Sequence, residues 1–134
     1  LGRGDAINSI REYAIKKGVS EHIEFMGSRS DIARFYQAMD LFLFPSLHEG
    51  LPIAGVEAQC TGLPCLFSDT VTSEIIITNR AVSMPLDSGA SEWAKKAVSL
   101  AKTYGRKNVA DKIAASGYDA ADMGKRMERI YEQQ

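Results

Sequence analysis

Apolar and polar positions along the chain fall into two kinds of stretch. Leu41–Phe44 is an unbroken apolar run that stops at Pro45-Ser46, and Leu63–Phe67 is a second apolar run that follows Gly62. Runs of this kind, bounded by Pro and Gly, are what strands of a parallel sheet look like when both faces are covered. The residues between them read as a helix running to Thr61, stopped by Gly62, with Pro52 early in it where the missing N–H costs least. Residues 41–67 therefore predict strand, loop, helix and strand, a βαβ crossover.

The flanks follow the same logic. Asp5–Lys17 predicts a helix with Ile7, Ile10, Tyr13 and Ala14 on one side and Gly18 as its stop. His22–Met26 reads as a short strand ending at Gly27-Ser28-Arg29, and Ser30 or Asp31 caps a helix carrying Ile32, Phe35, Tyr36 and Met39 at helical spacing. Phe35 and Tyr36 read as core. A strand is expected over Ala81–Met84, then helices over residues 91–104, 106–116 and 119–133, the last with Met123, Met127, Ile130 and Tyr131 on one side. The class is α/β with a parallel sheet and a helical C-terminus.

Composition narrows the function. At 134 residues and 45% hydrophobic, the chain is one domain with enough length for a core. A formal net charge of −1 argues against a nucleic-acid binder. Residues 1–90 hold 7 basic and 11 acidic side chains, residues 91–134 hold 9 and 6. The mildly basic tail permits peripheral contact with anionic lipid, although ordinary solvated helix faces explain it as well. No apolar run approaches the roughly 20 residues that span a bilayer, and no signal-peptide pattern is visible. Cys60 and Cys65 have no metal-ligand spacing and read as buried reduced thiols of a cytoplasmic protein, with a disulfide as the lesser alternative.

The chemistry is expected in the loop after the first apolar run. In an open parallel sheet, ligands bind at the carboxyl ends of the strands. Unpaired N–H groups at a helix start suit an anion such as a diphosphate, and Leu51, Ile53 and Ala54 would offer them. Gly50 lets that backbone approach a ligand. Glu49 lies just before the helix and Glu57 about two turns along it. A carboxylate beside a phosphate site is electrostatically costly, so these two are suited to accept hydrogen bonds from sugar hydroxyls. Gly2-Arg3-Gly4 invites a dinucleotide reading, with Glu24 some twenty residues on, but Ile7 stands where the third glycine belongs.

The string EGLPIAGVEAQCTGLPCLFSD, residues 49–69, resembles the donor-binding segment of the retaining, GT-B-fold glycosyltransferases of family 4 (glycosyl transferases group 1). Two glutamates separated by seven residues match at Glu49 and Glu57, with Gly50, Glu57-Ala58 and Gly62-Leu63-Pro64 in the family order. The resemblance implies a Rossmann-like three-layer α/β/α domain, one half of a GT-B fold: the C-terminal, donor-binding half without its first strand and without the N-terminal acceptor domain.

By the same resemblance Glu49 would hold the donor sugar and Glu57 the ribose, neither as a general base, while Met26, Gly27, Ser28 and Arg29 would line the base pocket. For Arg29 a plain surface cation stands as an equal reading. Gly2 and Gly4 match a turn near donor and acceptor. His48 stands where relatives often have an aromatic residue and reads as wall. Val71-Thr72 replace a Gly-Gly pair common before Glu74, which makes that residue a weak candidate.

The implied reaction is transfer of a sugar from a UDP- or GDP-linked donor, with retention and without metal or cofactor, to a glycan or lipid-linked acceptor in capsule or exopolysaccharide synthesis. The place would be the cytoplasm, at the inner face of the membrane where acceptors are lipid-linked. The 134 residues alone are expected not to transfer sugar. Three alternatives are a non-catalytic nucleotide-binding module, a GT-B-type nucleotide-sugar epimerase, and a glycosidase using the two carboxylates.

Overall fold

A computed structural model describes residues 5–103, 105–106, 108–118 and 128–129. The chain divides into two compact units, residues 1–32 and 33–134.

In the first unit, helix α1 spans Ile7–Lys16 and ends at Gly18 as the sequence predicts. Of its expected apolar stripe, Ala14 is buried while Ile10 and Tyr13 are exposed. Arg11 lies 5.1 Å from the ring centre of Phe25. The expected strand over His22–Met26 does not form. Ser20–His22 closes a 3-10 turn instead, and residues 23–27 run without a paired strand. Apolar spacing describes the segment, but a strand exists only where a neighbour completes its hydrogen-bond ladder.

The second unit holds a three-stranded parallel sheet of β1 (Phe42–Phe44), β2 (Cys65–Ser68) and β3 (Ala81–Met84), in that spatial order. Phe42 pairs with Cys65 and Phe44 with Phe67, and Cys65 in turn pairs with Ala81. Helix α2 (Ile32–Ala38) precedes β1, and α3 (Ile53–Cys60) links β1 to β2 as predicted. Helices α4 (Gly89–Thr103) and α5 (Ala110–Ala115) follow β3. The helix expected over residues 119–133 falls outside the described residues, apart from 128 and 129, which are helical.

Side-chain alternation along the strands makes three layers. Leu66 packs with Trp93 and Leu100 of α4, joined by Val82. On the opposite face, Phe67 meets the rings of Phe42 and Phe44, and Tyr36 of α2 sets its edge against Phe42. Helix α3 covers this face at Gly55, where a Cβ would lie 2.7 Å from Phe67 Cε1. Only glycine permits that approach. Gly62, at φ 72°, ends α3 in the left-handed conformation that lets Leu63 N–H reach back to Ala58 O at 3.4 Å. The expected fold class is thus present: a Rossmann-like parallel α/β unit.

The amino edge of the sheet is closed by cations. Arg106 donates to Tyr36 O and Met39 O at 2.5 Å each, and to Thr61 O at 3.3 Å. Buried Arg80 donates to Gly62 O at 3.4 Å and to Gly105 O.

Candidate functional site

The site is built from the opposite edge, where β1 and β2 end. The Ser68 hydroxyl, at the end of β2, donates to Ser46 O at 2.5 Å. The Thr70 hydroxyl lies 2.6 Å from the same carbonyl and 2.9 Å from Ser68 Oγ. One residue pair further out, Glu49 and Val71 form an isolated parallel bridge. Two hydroxyls and a bridge therefore hold the loop that carries His48, Glu49 and Gly50 against the loop that leads to Glu74. Sequence reasoning passed over Ser68 and Thr70 because a hydroxyl at a strand end carries no periodic signal.

Pro52 sits one residue ahead of α3 with φ −74° and ψ 110°, not inside the helix as expected. Its carbonyl accepts from Gly55 N–H at 2.9 Å and Val56 N–H at 3.4 Å, closing the first turn. Helix geometry leaves the N–H groups of Ile53 and Ala54 without intrahelical acceptors. Ile53 is 72% exposed and Leu51 is 37% exposed, so this end of the helix faces solvent. Glu57 stands one turn into α3, about 6 Å of rise from Ile53. The expected two turns were counted from a helix start that lies upstream of the true one.

Both glutamates are exposed. Glu57 Oε2 accepts from the Tyr36 hydroxyl at 3.2 Å. Tyr36 was read as core, and its ring is buried, but the sequence reading missed that its hydroxyl reaches the motif carboxylate. His48 is exposed, and its carbonyl lies 3.5 Å from Ser46 Oγ. Glu74 is exposed in the 3-10 turn Ser73–Ile75.

That turn is tied to α3 by Gln59, a residue fully buried and unremarked in the sequence. Its amide nitrogen donates to Ile75 O at 2.7 Å and Gly55 O at 3.1 Å. Its carbonyl accepts from Ile77 N–H at 3.2 Å, Thr78 N–H at 3.1 Å and the Thr78 hydroxyl at 3.3 Å.

Met26, Gly27, Ser28 and Arg29 belong to the first unit. Arg29 donates from Nε and Nη2 to both oxygens of Asp31, at 2.9 and 3.0 Å. This bond holds the Asp31 carboxyl below its ordinary range. The guanidinium is thus engaged within its own turn. Gly2 and Gly4 lie outside the described residues.

Two cavities contain none of these residues. One of about 400 Å³ lies between Leu43 and Trp93 and is almost wholly apolar, so it offers nothing to a diphosphate. The other, about 500 Å³, is lined by Arg80, Arg106 and Lys112, among others, at the far edge of the sheet. Among the described residues no cluster of three or more His, Cys, Asp or Glu could hold a metal ion, and no helix is long and apolar enough to cross a membrane.

Comparison with known proteins decides the family. The family model described as "Glycosyl transferases group 1" matches residues 1–103. The chain belongs to that family. It is 33% identical over 127 residues to the glycosyltransferase named EpsF of Bacillus subtilis (strain 168), covering 89% of this chain and 32% of EpsF. It is 35% identical over 80 residues to the UDP-Gal:alpha-D-GlcNAc-diphosphoundecaprenol alpha-1,3-galactosyltransferase of Escherichia coli, covering 59% of this chain and 21% of that enzyme. A lipopolysaccharide core biosynthesis mannosyltransferase, LpsB of Rhizobium meliloti (strain 1021), is 31% identical over 71 residues, covering 53% of this chain and 20% of LpsB. The chain spans a third or less of the length of each of these relatives.

Proposed function

We propose that this chain is the donor-binding half of a glycosyltransferase, and that the loop Pro45–Pro52 with the first turn of α3 takes the diphosphate and sugar of a UDP- or GDP-linked donor. The observation that carries the reading is the exposed start of α3, held at the carboxyl edge of a parallel sheet and flanked by two exposed glutamates. Breaking the bond between sugar and diphosphate develops negative charge on the leaving phosphate. N–H groups of Ile53 and Ala54 stabilise that charge where it forms, and Gly50 and Leu51 bring further backbone within reach. Glu49 and Glu57 are acceptors: Glu49 for hydroxyls of the sugar, Glu57 for hydroxyls of the ribose. Neither acts as a general base, and no metal or cofactor takes part.

In this reading the acceptor, a glycan or a lipid-linked glycan, is bound by an N-terminal domain outside these residues. Further cations for the diphosphate come from outside them too. Transfer proceeds with retention, at the cytoplasmic face of the membrane. Support for a lipid-linked acceptor comes from the name of the Escherichia coli relative, which specifies a diphosphoundecaprenol-linked substrate.

Calorimetric titration with UDP, GDP and ADP tests the proposal, on the chain and on the full-length protein, each beside Glu57→Ala. One nucleotide is expected to bind and to lose at least tenfold in affinity in the variant, the scale of a lost hydrogen bond to a charged group at about 1.5–3 kcal/mol. Equal affinity of wild type and variant, or no binding by the full-length protein, would sink the assignment.

A further inference from the structure

Helix α2 contributes to the candidate site through one atom, and that atom is held with unusual care. The Tyr36 ring is buried, edge-on to Phe42 with centroids 5.9 Å apart and planes at 74°. Phe42 is itself stacked on Phe44 at 5.7 Å and set against Phe67 at 6.1 Å, so the ring is fixed by the strands. The backbone at Tyr36 is fixed as well, because its carbonyl accepts from Arg106 Nη2 at 2.5 Å. From this rigid seat the hydroxyl emerges beside α3 and meets Glu57 Oε2 at 3.2 Å. An exposed glutamate on a helix otherwise samples several rotamers.

We propose that Tyr36 is a positioning residue of the donor site: its hydroxyl holds the Glu57 carboxylate in one orientation, so that the remaining acceptor capacity faces the paired hydroxyls of the nucleotide ribose. The inference rests on the reading of Glu57 as the ribose acceptor. An ionised carboxylate offers about four lone-pair sites, and one bond from a phenol leaves enough for two sugar hydroxyls. Tyrosine suits the task because its reach is long and rigid, with two torsions to order. Burial, with the Glu57 carboxylate next, pushes the phenol up to about 12, so it remains a donor at neutral pH.

The test is the preference for ribose. The full-length protein is titrated with UDP, GDP or ADP, whichever it binds, and with the 2′-deoxy and 3′-deoxy forms of that nucleotide. Wild type, Tyr36→Phe, Glu57→Gln and the double variant are compared. Tyr36→Phe is expected to weaken the ribonucleotide about three- to tenfold and the deoxy forms much less, so that the preference shrinks. The double variant should bind no worse than Glu57→Gln. A purely structural role would lower all three affinities together and leave the preference intact. A partly unfolded variant would lower the measured stoichiometry without altering the ratio. An unchanged preference in Tyr36→Phe, with the preference lost in Glu57→Gln, overturns the positioning role while Glu57 keeps its own. A preference that survives Glu57→Gln overturns the reading of Glu57 and this inference with it.

Discussion

Replacing Gln59 by leucine removes a side chain that ties the motif helix to the segment after Glu74. Its amide makes five hydrogen bonds, two given and three received, while fully shielded from water. Leucine has a similar volume and none of these groups. Gly55 O keeps its helical partner, and the Thr78 hydroxyl can turn. Ile75 O and Ile77 N–H keep each other at 3.0 Å, but Thr78 N–H, on a buried residue, loses a partner that leucine cannot replace. A buried polar group left unsatisfied costs about 1–3 kcal/mol. The leucine side chain returns about 1–2 kcal/mol through its own burial. The balance is a net loss of up to about 2 kcal/mol, against the roughly 5–15 kcal/mol by which domains are stable.

Trp93 is the single tryptophan, buried under α4 with its indole N–H donating to Pro85 O at 3.0 Å, so its fluorescence reports unfolding. With a urea slope of about 1–3 kcal/mol per molar, the midpoint should fall by up to about 2 M. An unchanged or raised midpoint with an unchanged slope would refute the reasoning, because it would mean that solvent or rearrangement satisfies the Thr78 N–H at no cost.

Three further outcomes are expected. Gly55→Ala places a methyl 2.7 Å from Phe67 Cε1 and 3.0 Å from Ile75 Cδ1, and overpacking of this kind should cost about 1–3 kcal/mol in the same urea experiment; a variant as stable as wild type would show that the ring gives way freely. Burial pushes the Cys65 thiol up to about 12, so thiol labelling at pH 8 should modify exposed Cys60 alone and reach Cys65 only in denaturant, and two fast thiols in the native protein would contradict this packing. Tyr36 has a phenol raised from 10.0 to about 12, so the folded state holds its proton more tightly than the unfolded chain does. Its contribution to stability is complete below pH 10 and is lost as pH climbs to 12. Tyr36→Phe should lose less stability over that interval than wild type, and parallel losses would argue against the shift.

What the sequence carried by itself was local. The apolar runs at 41–44 and 63–67 located β1 and β2, and a strand expected near Ala81–Met84 is there; only β2 is buried on both faces, which is where apolar side chains are needed throughout, while Leu43 and Ser83 are exposed. The ordered string from Glu49 to Pro64 was enough to name the family, since glutamate, glycine and proline at fixed separations reflect demands made within one βαβ unit. His22–Met26 had the right composition for a strand and is none, because a ladder partner is not a property of the segment.

The positions of Tyr36, Gln59, Ser68 and Thr70 in the site were decided by the tertiary structure alone. Their bonds to Glu57, Thr78 and Ser46 join residues 19 to 24 apart in the chain. Spacing along a helix or strand is blind to such pairs. They exist because the parallel sheet brings the ends of β1 and β2 together and folds α3 back between them, and a buried polar atom must then bond whatever that topology sets beside it.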